Sequence, residues 1–277
     1  MKKIILTVAV STISTSLFAM QTIKVKDFLQ QTLNKNPSIE NVKVTENFSK
    51  DIKNLRGWKA VNIKIQGRLK NGKSLNESST FFTNGVFLSN GFTNMITGEQ
   101  ITLKPKLTQK DYKERNLISG SKTSKHKIAI FSDPMCPFCR RRVPPLIRIL
   151  KRYPEKFAIY YYDFPLTQIH PASDTIVRLS ELQRENASEE KKLDAVLSMY
   201  DLQINPTETD SEKIIKEYNL ELNKKFTKKD LDNKKIKKYL NEDAKLINRL
   251  QLNGTPTIYF DDELDTNGDK YKKFLTN

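Results

Sequence analysis

The sequence predicts an α+β protein in which a small antiparallel sheet precedes a larger domain built on parallel strands. Residues 60–69 alternate between apolar and polar side chains, which is typical of a strand with one buried face. Two apolar runs, 128–131 and 157–162, flank a helical stretch and so have the spacing of a parallel βαβ unit. A predominantly helical region follows and leads to a last short strand near residue 257.

The first 19 residues have the three parts of a secretory signal peptide. Lys2 and Lys3 form a basic start, residues 4–18 are uncharged and mostly apolar or small, and Ala19 ends the segment at a residue suited to cleavage. An uncleaved membrane anchor is the alternative, although the run is shorter than the ~18–20 apolar residues of a spanning helix. We expect an exported protein, in a compartment where disulfides form.

Residues 20–105 are expected to form the small N-terminal domain. The pattern predicts a short helix over 25–33 that ends before Pro37, and Asn71-Gly72 marks a hairpin turn between two strands. This stretch carries no catalytic constellation in its sequence, so another role is expected for it. Residues 106–125 are largely polar, and we predict a linker helix followed by a loop there.

The formal charge of +16 does not indicate a nucleic-acid partner. It arises from 48 basic residues against 32 acidic ones, and the basic residues are mostly lysines interleaved with acids. The densest stretch, 224–245, also carries spaced apolar residues, which predicts an amphipathic helix with a solvated basic face.

The strongest signal for chemistry is Cys136-Pro137-Phe138-Cys139, which holds the only two cysteines and follows the first buried strand. A strand that turns into a helix at this point puts the first sulfur at the helix N-terminus, where free N–H groups and the helix dipole favour a thiolate. In such positions the pKa of a cysteine falls from ~8.5 to roughly 3.5–7. Cys136 is therefore the predicted nucleophile and is expected to be exposed, and Cys139 is the predicted buried resolving thiol.

Two structural interpretations of the cysteine pair compete with this one. A zinc site needs about four ligands, and besides the two cysteines the chain offers only His126 and His170. A structural disulfide across so short a loop would remove little entropy from the unfolded chain. We therefore expect no metal and no cofactor beyond a redox-active Cys136–Cys139 disulfide.

From residue 127 to the C-terminus these motifs together resemble the thioredoxin fold. The motifs are the cysteine pair at the first strand-to-helix junction, Pro144 within the following helix, and Thr255-Pro256 ahead of the last strand. The resemblance implies a thioredoxin-like catalytic domain over 126–277 with a helical insertion over 168–252. It also implies that the Thr255–Pro256 bond is cis and faces the sulfurs.

Within that fold the sequence is most similar to the periplasmic DsbC/DsbG disulfide isomerases. Asp133-Pro134 and an apolar residue before the Cys-Pro-aromatic-Cys motif match the DsbG pattern, and so does threonine before the loop proline. The resemblance implies a periplasmic disulfide isomerase or reductase, with a cystatin-like N-terminal dimerisation domain, a linker helix and a homodimer.

The same resemblance implies the site and its partners. Cys136 would attack a disulfide and Cys139 would resolve the product, while four residues would contact the substrate, namely Pro137, Phe138, Thr255 and Pro256. The expected partners are exported proteins with non-native disulfides and a membrane-bound thiol reductase or oxidase.

Two alternatives remain open at this point. Phe164-Pro165-Leu166 followed by His170-Pro171 is more similar to DsbA-type oxidases, which leaves oxidase activity open. A dimeric periplasmic chaperone with incidental redox activity is the second alternative. Asp133 could shuttle a proton or cap the start of the helix, and the cap is favoured. His170 is expected to be a loop residue near the site rather than a catalytic base.

Overall fold

The computed structural model describes residues 22–52, 55–93, 95–96, 100–101 and 104–275. The predicted signal peptide, residues 1–19, lies outside the described residues. The chain separates into two compact units between Gly91 and Phe92. Among the described helices, none combines the length and the apolar character that crossing a membrane requires.

The first unit is a four-stranded antiparallel sheet with one helix. Helix α1 (Val25–Asn34) matches the predicted helix and packs on the sheet through Val25, which is buried with Val44, Val61 and Ile63. The strands follow one another in chain order: β1 (Ile39–Asp51), β2 (Lys59–Leu69), β3 (Ser74–Thr83) and β4 (Leu88–Ser89). The β2–β3 turn lies at the predicted Asn71-Gly72, where Gly72 has a φ of +82°.

The second unit is built on a five-stranded mixed sheet, which follows a short pair of strands, β5 (Phe92–Thr93) and β6 (Gln100–Ile101). The sheet runs in the order β11-β10-β8-β9-β7. Its strands are β7 (Leu117–Ser119), β8 (His126–Ser132), β9 (Phe157–Asp163), β10 (Thr257–Phe260) and β11 (Glu263–Leu264). Strands β8 and β9 are parallel and are joined by α2 (Pro137–Leu150), so the predicted βαβ unit is confirmed.

Both faces of the central strands are covered, which explains why β8 and β9 are continuous apolar runs. On β8, Ile128 and Ile130 pack into the core cluster that includes α2, whereas Ala129 and Phe131 pack into the cluster on the other face. Four helices form the predicted insertion: α3 (Ala172–Arg184), α4 (Glu189–Met199), α5 (Ser211–Leu222) and α6 (Lys234–Leu250). Asn205-Pro206 lies in the segment between α4 and α5.

The prediction of a linker helix within residues 106–125 is wrong. The described chain there forms two 3-10 turns, Gln109–Asp111 and Glu114–Asn116, and then strand β7, which pairs antiparallel with the outer edge of β9. Leu117 and Ile118 of β7 are buried, so this segment belongs to the core of the second unit. Pairing with β9 satisfies backbone groups that would otherwise line an open edge of the sheet.

A buried group of charged side chains joins the insertion to the sheet. Arg184 of α3 lies 2.5 Å from the carboxylate of Asp163 at the end of β9, and Arg115 lies 2.5 Å from Asp243 of α6. Glu181 contacts both arginines, at 3.3 and 3.5 Å. Burial raises the pKa of both Asp163 and Asp243, and the arginines oppose that rise. Removing one arginine would leave an uncompensated buried charge.

We predict that Gly120→Ala strongly destabilises the second unit. Gly120 follows β7 with a φ of +82°, and a Cβ there would lie 2.2 Å from the backbone oxygen of Phe157. The left-handed conformation alone costs about 1–2 kcal/mol for a residue with a Cβ, and the clash with backbone adds to it. We expect a loss of at least ~3 kcal/mol in the free energy of unfolding, measured by denaturant titration.

Gly268→Ala is the matched control, because its φ of +65° carries a similar backbone cost. Its Cβ would meet only the movable ends of Arg142 and Ile258. A Gly120→Ala loss no larger than that of Gly268→Ala would contradict the close packing of β7 on β9.

Candidate active site

Cys136 lies at the N-terminus of α2, as the sequence predicts. Strand β8 ends at Ser132, and a turn closed by a 3.2 Å hydrogen bond from the Cys136 N–H to the Asp133 carbonyl leads into the helix. Cys136 is the N-cap residue with extended backbone angles (φ −69°, ψ 123°), and Pro137 occupies the first helical turn, where a missing N–H costs nothing. The first sulfur is therefore placed where the helix dipole favours negative charge.

The Thr255–Pro256 loop covers the Cys136 sulfur. The peptide bond between these two residues is cis, and the Cys136 thiol points at the Thr255 carbonyl oxygen, with a sulfur–oxygen distance of 3.7 Å. Only 5% of Cys136 is exposed, so the expectation of an exposed nucleophile is wrong. Thr255 lies 119 residues after Cys136 in the chain, so the sequence around Cys136 could not predict that this loop covers the sulfur.

Cys139 is completely buried one helical turn further on. Burial raises the pKa of this thiol to about 11, although the nearby hydroxyls of Ser132 and Thr255 lower the pKa in part. The structure describes both cysteines as free thiols. Cys139 thus has the burial expected of a resolving thiol, and it depends on nearby hydroxyls to become a thiolate.

Asp133 holds this region together, and the expectation that it caps α2 is wrong. Its fully buried carboxylate accepts hydrogen bonds from the Met135 N–H at 2.8 Å and from the Ser173 hydroxyl at 2.6 Å. The other oxygen accepts from the Leu166 N–H at 2.8 Å and lies 3.0 Å from Nδ1 of His170. The carboxylate therefore ties the cysteine turn to the loop after β9 and to the start of α3, and His170 is a loop residue near the site, as expected.

The arginines after Cys139 have specific partners. Arg140 donates to the Pro134 carbonyl at 2.9 Å and to the Leu202 carbonyl at 2.8 Å, which fixes α2 to the insertion. The guanidinium of Arg141 lies 5.3 Å from the centre of the Phe138 ring. Of these partners only Leu202 is distant in sequence, so the contact between Arg140 and Leu202 is the one that the sequence could not predict.

The four predicted substrate-contacting residues differ in exposure. Pro137 and Phe138 are exposed, and Phe138 shows 60% of its surface. Thr255 and Pro256 are half-buried, with the Thr255 hydroxyl turned inward. Sequence reasoning missed Ile169, which is 61% exposed in the loop that Asp133 holds. Only its apolar character between polar neighbours could have indicated it.

Residues 113–276 match the family described as Thioredoxin. The chain belongs to the thioredoxin family. Together with the paired thiols and the cis-proline loop, this membership makes the protein a thioredoxin-type thiol–disulfide oxidoreductase. No curated protein matches the sequence.

Several solved structures are distantly similar to this family member. A periplasmic thioredoxin-like protein from Salmonella enterica serovar Typhimurium is 17% identical, with a TM-score of 0.48 over 62% of this chain and 99% of that one. BdbD from Bacillus subtilis is 16% identical, with a TM-score of 0.45 over 62% and 95%. A thioredoxin-like oxidoreductase from Silicibacter pomeroyi is 19% identical, with a TM-score of 0.44 over 57% and 88%.

We predict that the buried thiol is alkylated slowly and with a steep pH dependence. In a Cys136→Ser variant only Cys139 can react, and with a pKa of about 11 its thiolate fraction rises tenfold per pH unit through the neutral range. Iodoacetamide labelling followed by mass spectrometry between pH 6 and 10 measures this rise.

The Cys139→Ser variant supplies the comparison, and its remaining thiol, Cys136, should be labelled much faster at neutral pH. A labelling rate of Cys139 that levels off below pH 9 would contradict the assigned burial of this thiol.

Proposed function

We propose that this oxidoreductase is a periplasmic disulfide isomerase and reductase that acts on exported proteins with non-native disulfides. In the proposed reaction the Cys136 thiolate attacks one sulfur of a substrate disulfide, which forms a mixed disulfide and releases the other substrate sulfur as a thiolate. That thiolate then either attacks elsewhere in the substrate, which isomerises it, or Cys139 attacks Cys136. The second route oxidises the enzyme dithiol to a disulfide and reduces the substrate by two electrons.

The observation that carries this proposal is the 3.7 Å approach of the Cys136 sulfur to the backbone of the cis Thr255–Pro256 loop. A sulfur at a helix N-terminus beside the half-buried backbone of this loop can hold a peptide chain by strand-like pairing while its disulfide is attacked. Pro137 and Phe138 extend this surface with exposed apolar area. The recognised feature of a substrate would then be an extended segment around a cystine rather than a fixed sequence.

The side chain between the two cysteines favours isomerisation and reduction over oxidation. Phe138 cannot donate a hydrogen bond to a neighbouring thiolate, so it stabilises the reduced form less than a polar residue would. A less stabilised reduced form makes the disulfide a weaker oxidant. A membrane-bound thiol reductase is the proposed electron donor.

Oxidase activity of the DsbA kind is the second candidate. One specific observation favours it, namely the anchoring of the loop after β9 to Asp133 through Leu166 and His170, within the stretch that resembles DsbA-type proteins. An oxidase would be kept as the Cys136–Cys139 disulfide by a membrane-bound oxidase.

Refolding of scrambled ribonuclease by three variants separates these functions. Isomerisation needs only Cys136, so Cys139→Ser should keep part of the activity, and Cys136→Ser should lose it. An oxidase needs both cysteines, so equal loss in the two variants, together with efficient oxidation of reduced ribonuclease by the wild type, would overturn the proposal. In a glutathione buffer that supplies the thiol for disulfide exchange, recovery by a variant lacking both cysteines would instead identify a chaperone.

We propose in addition that the first unit forms a homodimer. It carries exposed apolar side chains at Phe28, Phe87 and Leu88, which are 43%, 64% and 39% exposed. Exposed apolar groups of this kind are a common feature of interfaces between copies of a chain.

We predict that light scattering finds a dimer of the mature chain at micromolar concentration. Phe87→Asp places a charge in the proposed interface and should weaken the dimer by at least tenfold in its dissociation constant. Leu220→Asp is the control, because Leu220 is 81% exposed on α5 of the second unit. A monomeric wild-type chain would refute the dimer and leave the redox proposal standing.

We predict that Thr255→Val slows only the reactions in which Cys139 takes part. The Thr255 hydroxyl is buried, has no hydrogen-bond partner among the described residues and lowers the pKa of Cys139, so it is available to donate to the Cys139 thiolate. One such hydrogen bond of ~1 kcal/mol corresponds to about fivefold in rate. Reduction of insulin should therefore slow about fivefold, whereas isomerisation in a Cys139→Ser background should not change.

Thr257→Val is the matched control, because the Thr257 hydroxyl donates to the Gly254 carbonyl at 2.7 Å. An equal effect of both substitutions, or a Thr255→Val effect that persists without Cys139, would argue against a direct role of the Thr255 hydroxyl.

A further inference from the structure

A row of three hydroxyl groups leads from Cys139 into the core of the second unit. Cys139 belongs to the same buried cluster as Tyr161 and Tyr200, and the hydroxyl of Ser132, at the end of β8, lowers the pKa of the Cys139 thiol. The Tyr200 hydroxyl donates to the Ser132 hydroxyl over 2.7 Å, and the Tyr161 hydroxyl lies 2.8 Å from that of Tyr200. Tyr161 belongs to β9, whereas Tyr200 ends α4 of the insertion.

All of these groups are removed from solvent. Ser132, Cys139 and Tyr161 have no exposed surface, and Tyr200 is 5% exposed. In a buried network each hydrogen bond polarises the next, so a row that points one way is stronger than its separate bonds.

The geometry fixes the direction of the row. A thiolate can only accept a hydrogen bond, so Ser132 must donate its proton to the sulfur when Cys139 is ionised. Ser132 then accepts from Tyr200, and Tyr200, having donated its only proton, accepts from Tyr161. Every donor therefore points toward Cys139.

The far end of the row lies beside a positive charge. The guanidinium of Arg184 is 5.5 Å from the centre of the Tyr161 ring, and it is itself paired with Asp163. Burial raises the pKa of Tyr161 and of Tyr200 well above their usual value. Both phenols consequently keep their protons and remain donors throughout the pH range in which the enzyme would work.

We infer that Ser132, Tyr200 and Tyr161 are positioning residues for the resolving step, and that they act by stabilising the Cys139 thiolate. The inference rests on the exchange chemistry of the cysteine pair and not on whether the enzyme works as an isomerase or an oxidase. It also gives the helical insertion a part in the reaction, because Tyr200 comes from that insertion.

The three hydroxyl groups act on the step in which Cys139 resolves the mixed disulfide. Cys139 loses its proton and, as a thiolate, attacks the Cys136 sulfur of the mixed disulfide. The bond between Cys136 and the substrate sulfur breaks as the Cys136–Cys139 bond forms, and the departing substrate thiolate takes up a proton. The enzyme dithiol is oxidised by two electrons and the substrate disulfide is reduced.

Other groups also face this thiol and set its pH dependence. Cys136 faces it from the start of α2, the Thr255 hydroxyl from the cis-proline loop, and the backbone of Asp133 from the cysteine turn. The Asp133 carboxylate is paired with His170, and Asp163 and Arg184 act on the outer tyrosine. None of these groups is changed by the three proposed substitutions, Ser132→Ala, Tyr200→Phe and Tyr161→Phe.

Reaction of the reduced, full-length protein with a chromogenic aromatic disulfide separates the two steps. The first equivalent of coloured thiolate reports the attack by Cys136, and the second reports the resolution by Cys139. We expect Ser132→Ala to slow the second phase about tenfold at pH 7, Tyr200→Phe to slow it several-fold and Tyr161→Phe less. The pH profile of the second phase should move to higher pH in the same order, with the first phase unchanged.

Tyr218→Phe is the matched control, since Tyr218 is a buried tyrosine of the same core whose hydroxyl bonds to Gln183. Circular dichroism and thermal melting establish whether each variant is folded. If Tyr200→Phe does not fold, Tyr161→Phe still allows the test. A second phase in Tyr200→Phe or Tyr161→Phe that matches Tyr218→Phe in rate and pH profile would overturn the inference. So would equal slowing of both phases. A wild-type protein with no second phase would refute the exchange chemistry itself.

Discussion

The carboxylate of Asp133 is the interaction on which the rest of the site depends. A fully buried carboxylate is tolerable only when its oxygens are supplied with donors, and here three donors reach it from the cysteine turn, the loop after β9 and α3, while His170 adds a fourth contact. Because these segments must converge on one group, the turn between β8 and α2 has a single conformation. That conformation places the Cys136 sulfur at the helix N-terminus and Cys139 one turn below it.

The same edge of the sheet collects the other polar groups of the second unit. Strands β8 and β9 are parallel and end side by side at Ser132 and Asp163. The insertion helices supply partners for both: Tyr200 donates to Ser132, and Arg184 pairs with Asp163. The insertion therefore does more than enlarge the domain, because it completes the hydrogen bonding at the carboxyl ends of the two central strands. Arg140 adds a second connection, since it joins the cysteine helix to the Leu202 carbonyl.

Local patterns were sufficient to predict the elements that carry the chemistry. The apolar runs of β8 and β9, the helix that begins beside Cys136, and the proline loop before β10 each have their signal within a few residues. The predictions that were wrong concern features that depend on contacts with segments distant in sequence. Residues 106–125 are polar enough for a surface helix. Leu117 and Ile118 nevertheless belong to a strand, β7, which pairs with the open edge of β9. Cys136 appeared exposed because its cover, the Thr255 loop, lies more than a hundred residues away.

The hydrogen bonds of the buried polar groups near the cysteines could not be predicted from the sequence for the same reason. Asp133 is expected from the sequence to cap the helix, but three of its four partners, Leu166, His170 and Ser173, come from the segment that follows β9. Tyr200 is one of ten tyrosines, and nothing in its immediate sequence distinguishes it from the others. Its role follows from the fold, which brings the end of α4 to the end of β8.

The most direct test of this account is the rate at which iodoacetamide labels Cys136 in Asp133→Asn, measured together with the free energy of unfolding. An amide would turn an NH₂ group toward donors that need an acceptor, and each unsatisfied buried group costs about 1–3 kcal/mol. We expect a loss of at least ~2 kcal/mol in the free energy of unfolding and a labelling rate at Cys136 that differs several-fold from the wild type. Asp174→Asn, on the partly exposed surface of α3, should change neither. Wild-type stability and labelling in Asp133→Asn would contradict the claim that this carboxylate positions the cysteine pair.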